Sequence, residues 1–182
     1  MAARDFATFG PAGPNLGFQA ADLLITWKGR EHANLANILR RLKRDLGNAH
    51  PTPDFVIIHT GAQDIPHFSF SSMKACLHRH LEQMLQDHPG VTLIWSDIHP
   101  LSPTGGADPD GTLEYRRRRV NRAARSIMNR HGGRAISHNI GPHRPELYEE
   151  GNPRSLGADG IEILTINWRR ELQRALGAPW RF

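Results

Sequence analysis

The chain has little cysteine and no long hydrophobic run. Cys76 is the only cysteine among 182 residues, which excludes an internal disulfide framework and a thiolate metal site built within this chain. No apolar run approaches the length that spans a bilayer, and residues 1–14 lack the apolar core of a signal peptide. We therefore expect a soluble intracellular protein, cytoplasmic or nuclear, with no membrane partner.

Lysine is also scarce, because 20 of the 23 basic residues are arginine. The net charge is +5 and the pI is about 10.1. Arginine pairs with phosphate and carboxylate groups in a bidentate manner, so the composition permits an acidic partner without requiring one. No pattern in the sequence indicates a cofactor, and none is predicted.

Length and periodicity predict one α/β domain over residues 1–182, with an irregular segment at 1–21. Apolar, β-branched segments alternate with segments of helical period, which is typical of a parallel sheet with helices on both faces. No hairpin is indicated. The predicted strands are 23–27 (LLITW), 55–59 (FVIIH), 91–95 (VTLIW) and 134–137 (RAIS).

Four helices are predicted from apolar residues at helical spacing. The first covers 35–46 and ends at Gly47, and the second covers 73–84 after a cap at Ser71 or Ser72. Two further helices are defined by their inward residues. These are Val120, Ala124, Ile127 and Met128 in the third helix, and Leu164, Trp168, Leu172 and Leu176 in the fourth.

Four segments carry the most specific pattern, and their order matters more than any one of them. They are PDFVIIHTGAQDI at 53–65, LIWSDIHP at 93–100, YRRRRVNRAARSIMNRHGGRAISH at 115–138 and LGADGIEIL at 156–164. Together they resemble the SGNH (GDSL-type) hydrolase superfamily, and more narrowly the SGNH-like domains of vertebrate transposable-element-derived open reading frames. The resemblance covers about residues 15–176 and implies a three-layer α/β/α sandwich with a flavodoxin-like parallel sheet.

The resemblance also implies an ester-cleaving site, with a serine nucleophile after the first strand, glycine and asparagine oxyanion donors, and a late Asp-x-x-His. The oxyanion glycine corresponds to Gly29 in TWKGRE. The Gly-x-Asn-Asp block reads Gly61, Ala62, Gln63, Asp64, with Gln63 as the donor and Gly61 and Asp64 supporting the loop.

The other two catalytic blocks depart further from the family pattern. The late block begins at Asp159 but has Glu162 where the family has histidine, and no serine precedes Ser69. The nucleophile block and the first strand are thus expected to be missing. A sheet without that strand would leave an exposed edge through which a second copy could associate.

These departures predict a hydrolase-like domain with little or no catalytic activity. The extra methylene of Gln63 moves its amide by about an ångström, whereas oxyanion donors must lie about 2.7–3.1 Å from the developing charge. A carboxylate at Glu162 is a weaker base than an imidazole. The alternative is an active serine esterase whose nucleophile block lies upstream in a longer chain.

A second alternative is a basic nucleic-acid-binding module. The residues that would contact nucleic acid lie together on the third helix, where a basic face could neutralise phosphates. They are Arg116, Arg117, Arg118, Arg119 and Arg122, with Arg125 nearby.

Two other clusters are weaker candidates. Ser96, Asp97 and His99 are close in sequence, but neighbours along a strand point to opposite faces, which disfavours a triad. His78 and His80 are two residues apart and do not share a helix face, so no metal site is predicted.

Overall fold

The computed structural model describes residues 13–30, 33–101, 108, 110–141, 143–150 and 152–177, without the side chains of 152–154. The chain forms two compact units, described separately below. The sheet unit comprises 33–100 and 108–137, and the hairpin unit comprises 1–32, 101–107 and 138–182. The single domain over residues 1–182, with its irregular segment at 1–21, stays a prediction.

The sheet unit is an α/β structure with a three-stranded parallel sheet flanked by helices. The strands pair in the order β1-β2-β3, with Ile57 opposite Ile94 and Trp95 opposite Ala135. In chain order the elements are α1 (Leu35–Gly47), β1 (Phe55–Ile58), α2 (Phe70–Leu77), a π-helical stretch (His78–Glu82), α3 (Gln83–Asp87), β2 (Thr92–Ser96), α4 (Thr112–Arg130) and β3 (Arg134–Ile136).

The core of the sheet unit lies between the sheet and the apolar stripes of its helices. The central strand β2 is buried on both sides, as its continuous apolar run predicts. The predicted inward residues of the third helix, now α4, are confirmed. Fully buried residues include Leu39, Leu77, Leu81, Leu93, Ile94, Trp95, Val120, Ala124, Ile127 and Met128.

The hairpin unit contains a 3-10 turn (Pro145–Leu147), strands β4 (Tyr148–Glu149) and β5 (Asn152–Leu156), and helix α5 (Ala158–Ala175). Strands β4 and β5 are antiparallel. Helix α5 lies so close to the 3-10 turn that a Cβ on Gly160 would be 2.2 Å from the Leu147 carbonyl oxygen. Only glycine fits there, which gives the glycine of LGADGIEIL a packing role.

The strand predicted at 23–27 is wrong. The segment has no regular secondary structure, and the side chain of Asn15 bonds its backbone. The Asn15 amide donates to the Leu23 carbonyl oxygen at 2.6 Å, and its Oδ1 accepts the Ile25 N–H at 2.9 Å. A side-chain clamp of this kind leaves no mark in the apolar pattern of the segment itself.

Three smaller predictions also need correction. The cap of α2 is Ser69, whose Oγ accepts the Ser72 N–H, instead of Ser71 or Ser72. Leu176 lies beyond the end of α5 and is 39% exposed. The β4–β5 hairpin was not predicted, because Pro153 cannot donate to a strand ladder and the surrounding residues are mostly charged or polar.

Among the described residues, no helix is both long enough and apolar enough to cross a membrane.

Candidate functional site

The candidate oxyanion loop leaves the carboxyl end of β1, where ligands bind in open α/β sheets. Gly61 begins it at φ +102°, a conformation that favours glycine. A Cβ at this position would also lie 3.0 Å from Cδ1 of Ile98. Backbone bonds from Asp64 N–H to the Gly61 carbonyl and from Phe68 N–H to the Asp64 carbonyl then turn the chain toward α2.

Asp64 ties this loop to the first turn of α1. Its two carboxylate oxygens lie 3.0 and 2.9 Å from the Leu35 backbone nitrogen, which donates to them at the positive end of the helix. Burial raises the pKa of Asp64, and the Leu35 N–H partly opposes that rise. Asp64 thus bonds the loop to α1, and its part in a functional site stays a prediction.

Arg116 fixes the other side of the loop. Its Nη1 donates to the Ile65 carbonyl oxygen at 2.5 Å and to the Phe68 carbonyl oxygen at 3.1 Å. The loop is thus held by α1 through Asp64 and by α4 through Arg116. Gln63, which directly precedes Asp64, is exposed.

The other predicted site residues lie in the hairpin unit. Gly29 is exposed in the extended segment that follows the Asn15 clamp. Asp159 and Glu162 are both exposed at the start of α5, three residues apart, so the structure brings these two carboxylates onto one helix face. This turn of α5 contains no histidine.

Ser96, Asp97 and His99 do not form a triad. The Asp97 carboxylate accepts a bidentate pair of hydrogen bonds from Arg125, with Nε to Oδ1 at 3.0 Å. Ser96 Oγ lies 2.9 Å from Nδ1 of His59 on the neighbouring strand exit. Ser96 is nevertheless completely buried, so its hydroxyl cannot reach a substrate.

His99 is a buried, neutral histidine. Its Nδ1 lies 2.8 Å from the Pro100 carbonyl oxygen, which can only accept, so Nδ1 carries the proton. Burial lowers the pKa of His99 to about 4, with the charge of Arg117 acting in the same direction. The ring stacks against that of His59, with 6.1 Å between centroids.

Asn121 organises the exit of β2 from the middle of α4. Its Oδ1 accepts the Ile98 N–H at 3.0 Å and the Trp95 indole N–H at 3.4 Å, and its Nδ2 donates to the Ile98 carbonyl at 2.9 Å. Arg117 Nη1 donates to the same Ile98 carbonyl at 2.5 Å. The sequence signal for this contact was an asparagine at position 121, within an otherwise apolar helical stripe.

The arginines predicted to bind nucleic acid are not equivalent. Arg116 and Arg117 are half-buried and donate to carbonyls of the strand exits. Arg118, Arg119 and Arg122 are exposed. Arg125 holds Asp97 and also donates to Ser137 Oγ at 2.5 Å.

The histidine pair at 78 and 80 is divided, since His78 Nδ1 bonds Glu82 at 2.9 Å instead of sharing a ligand with His80. Within the part of the chain that is described, no three His, Cys, Asp or Glu side chains are grouped so as to hold a metal ion. Cys76 is partly buried, and burial raises the pKa of its thiol, as fits an unreactive cysteine.

Comparison with known proteins gives a structural likeness only. No protein-family model and no curated protein matches the sequence. A solved structure described as an acetyl esterase serine-to-alanine mutant with acetate ion superposes with a TM-score of 0.61 at 20% sequence identity. The match covers 82% of this chain and 71% of the other. The chain therefore has an α/β fold like that of this esterase structure.

Proposed function

We propose that this chain is an SGNH hydrolase-like domain that does not itself cleave esters. The observation that carries the proposal is the pair Asp159 and Glu162. The family's acid and base positions here hold two carboxylates on one exposed face of α5, and α5 has no histidine. Without an imidazole on this helix to take and return the proton, the acid–base pair of the family pattern is incomplete.

The loop after β1 supports the same proposal. Gln63 is exposed and directly precedes Asp64, whose carboxylate accepts the Leu35 N–H, so its backbone has little freedom to correct the donor's displaced position. Ser96 does not replace a nucleophile, because it is fully buried in β2.

The test is hydrolysis of p-nitrophenyl acetate by the 182-residue chain, together with labelling by a fluorophosphonate probe. We expect the rate to equal that of the heat-denatured protein and no serine to be labelled. A Glu162→His, Gln63→Asn double variant restores two of the altered positions but supplies no nucleophile, so it should stay as inactive as the native chain. Native hydrolysis above the denatured control, with probe labelling, would refute the proposal.

The alternative is an active acetyl esterase whose nucleophilic serine comes from sequence outside these 182 residues. It is supported by the likeness to a structure described as an acetyl esterase. A chain extended by the upstream coding sequence, if that sequence ends a strand in Gly-x-Ser, should then hydrolyse p-nitrophenyl acetate. Replacing that serine by alanine should abolish the activity, and an extended chain that stays inactive would remove the alternative.

The narrower relationship to SGNH-like domains of transposable-element-derived reading frames is part of this proposal. It is supported only by the four sequence segments and their order. Reading the genomic sequence around the coding region tests it, because such an origin predicts flanking remnants of a mobile element.

A further inference from the structure

The outward face of α4 combines exposed arginines with exposed aromatic rings. Tyr115, Arg118, Arg119 and Arg122 are spaced at i, i+3, i+4 and i+7, so they share one side of the helix. Tyr115 is 63% exposed and Phe68, in the neighbouring loop, is 44% exposed. We call these five residues the Arg-aromatic face.

Contacts within the sheet unit hold this face together. The guanidinium carbon of Arg119 lies 3.9 Å from the centroid of the Phe70 ring and 5.4 Å from that of Tyr115. Arg116 bonds the backbone of Phe68 from the same helix. Phe68 is thus bonded to α4 through its backbone, and the Tyr115 ring lies beside an arginine that also stacks on Phe70.

Positive charge is concentrated on the same helix. Helix α4 contains seven arginines and one glutamate, a formal +6, whereas the whole chain carries +5. Asp97 offsets Arg125, and Glu114 is shared by Arg117 and Arg118. The charges of Arg119 and Arg122 then remain toward solvent, with that of Arg118 close by.

We propose that the Arg-aromatic face binds single-stranded nucleic acid. The phosphates lie against Arg118, Arg119 and Arg122, and unpaired bases stack on Tyr115 and Phe68. A positive groove or face alone would serve duplex DNA, an acidic peptide or an anionic membrane equally well. The exposure of Tyr115 and Phe68 favours a single strand, because its bases are free to stack on protein side chains whereas duplex bases are already stacked on one another.

The test is fluorescence anisotropy of a labelled 12-nucleotide oligothymidine with the full 182-residue chain, over a range of salt concentrations. We expect Tyr115→Ala to weaken binding about tenfold, in line with the loss of one stacked base. Tyr115→Phe keeps the ring and should bind as the native chain does. Tyr115→Leu keeps apolar bulk but loses the π face, and should resemble Tyr115→Ala.

The contribution of the arginines to binding is tested separately, with its own control. The Arg118→Ala, Arg122→Ala double variant should reduce the slope of log affinity against log salt by about 1.4, since each single-strand phosphate contact contributes about 0.7. Arg44→Ala is the matched control, because Arg44 on α1 is 67% exposed and Arg118 is 66% exposed. It should leave the slope unchanged. Thermal unfolding of each variant checks that it folds.

Three results would overturn the proposal. One is equal or tighter binding to the matching duplex, which would leave the rings without a role. Another is undiminished binding by a folded Tyr115→Ala variant. The third is binding to phosphatidylserine vesicles that the same substitutions abolish, in the absence of binding to the oligonucleotide. The proposal is independent of the esterase question, because none of these residues belongs to the predicted catalytic blocks.

Discussion

The arginines of α4 fall into two groups that differ in what surrounds them. The inward group donates to loop carbonyls or to a buried carboxylate, whereas the outward group is exposed to solvent. The inward group is Arg116, Arg117 and Arg125, and the outward group is Arg118, Arg119 and Arg122.

The difference shows that a run of four arginines is not one functional element. Consecutive helical residues are separated by 100° around the axis, so Arg116 and Arg117 reach the strand exits while the next two face outward. Each inward guanidinium satisfies carbonyls or a carboxylate that the turning loops leave without a backbone partner. A nucleic-acid contact is therefore expected from the outward group, and a stability contribution from the inward group.

The largest difference in stability between the two groups is expected for the substitution of Arg125. Arg125→Ala leaves the Asp97 carboxylate, whose side chain is 9% exposed, without its bidentate partner. Since Asp97 is buried but the Arg125 side chain is 42% exposed, we expect the loss of the arginine to cost about 2–3 kcal/mol of unfolding free energy. Urea unfolding measures the loss, and Arg125→Ala with Asp97→Asn should recover part of it. A loss below about 1 kcal/mol would mean that solvent reaches Asp97 readily.

A smaller effect is expected for Arg116. Arg116→Ala leaves the carbonyls of Ile65 and Phe68 without this donor and should cost about 1–2 kcal/mol in urea unfolding. Amide exchange of Phe68, whose N–H bonds the Asp64 carbonyl, should accelerate because the loop loses one of its two attachments. Arg122→Ala, from the outward group, is the control and should change stability by less than about 0.5 kcal/mol. Equal losses of unfolding free energy for Arg116→Ala and Arg122→Ala would mean that the inward and outward arginines do not differ in their contribution to stability.

The sequence predicted the sheet unit well, because its elements are specified locally. Continuous apolar runs predicted β1 and β2, and helical spacing predicted the buried stripes of α1 and α4. Such patterns depend only on the spacing of apolar residues along the sequence, so they can be recognised without the structure.

The features that the sequence did not predict depend on contacts between distant residues. Asn15 satisfies the backbone of 23–27, and Asn121 satisfies that of Ile98 across 23 positions. Asn121 stands within the apolar stripe of α4, but nothing in the sequence indicates Ile98 as its partner, and Asn15 has no distinguishing pattern around it. The division of the α4 arginines was invisible for the same reason, since the loop carbonyls that select Arg116 and Arg117 come from elsewhere in the chain.

Glu114 gives the finest test, because it bonds one arginine of each group. Its carboxylate accepts from Arg117 at 2.6 and 2.7 Å and from Arg118 at 2.7 Å. Partial burial raises the pKa of Glu114, but the hydrogen bonds from Arg117 and then Arg118 outweigh it, so the pKa lies below its ordinary value. Carboxyl carbon NMR titration should show a larger rise in this pKa for Arg117→Ala than for Arg118→Ala.

The stability change that follows has a definite sign. Because the folded-state pKa of Glu114 is depressed, the unfolded chain binds more protons at acidic pH, and the stabilisation is present above the ordinary glutamate pKa of about 4.3. It is lost as the pH falls through the folded-state value. The contribution should stay below about 1 kcal/mol, because water screens the pair and the Arg118 side chain is mostly exposed.

Urea unfolding of Glu114→Gln from pH 7 to pH 3 should show a shallower acidic decline in unfolding free energy than the native chain. An unchanged decline would mean that Glu114 holds neither arginine in solution, and that the inward position of Arg117 rests on the Ile98 carbonyl alone.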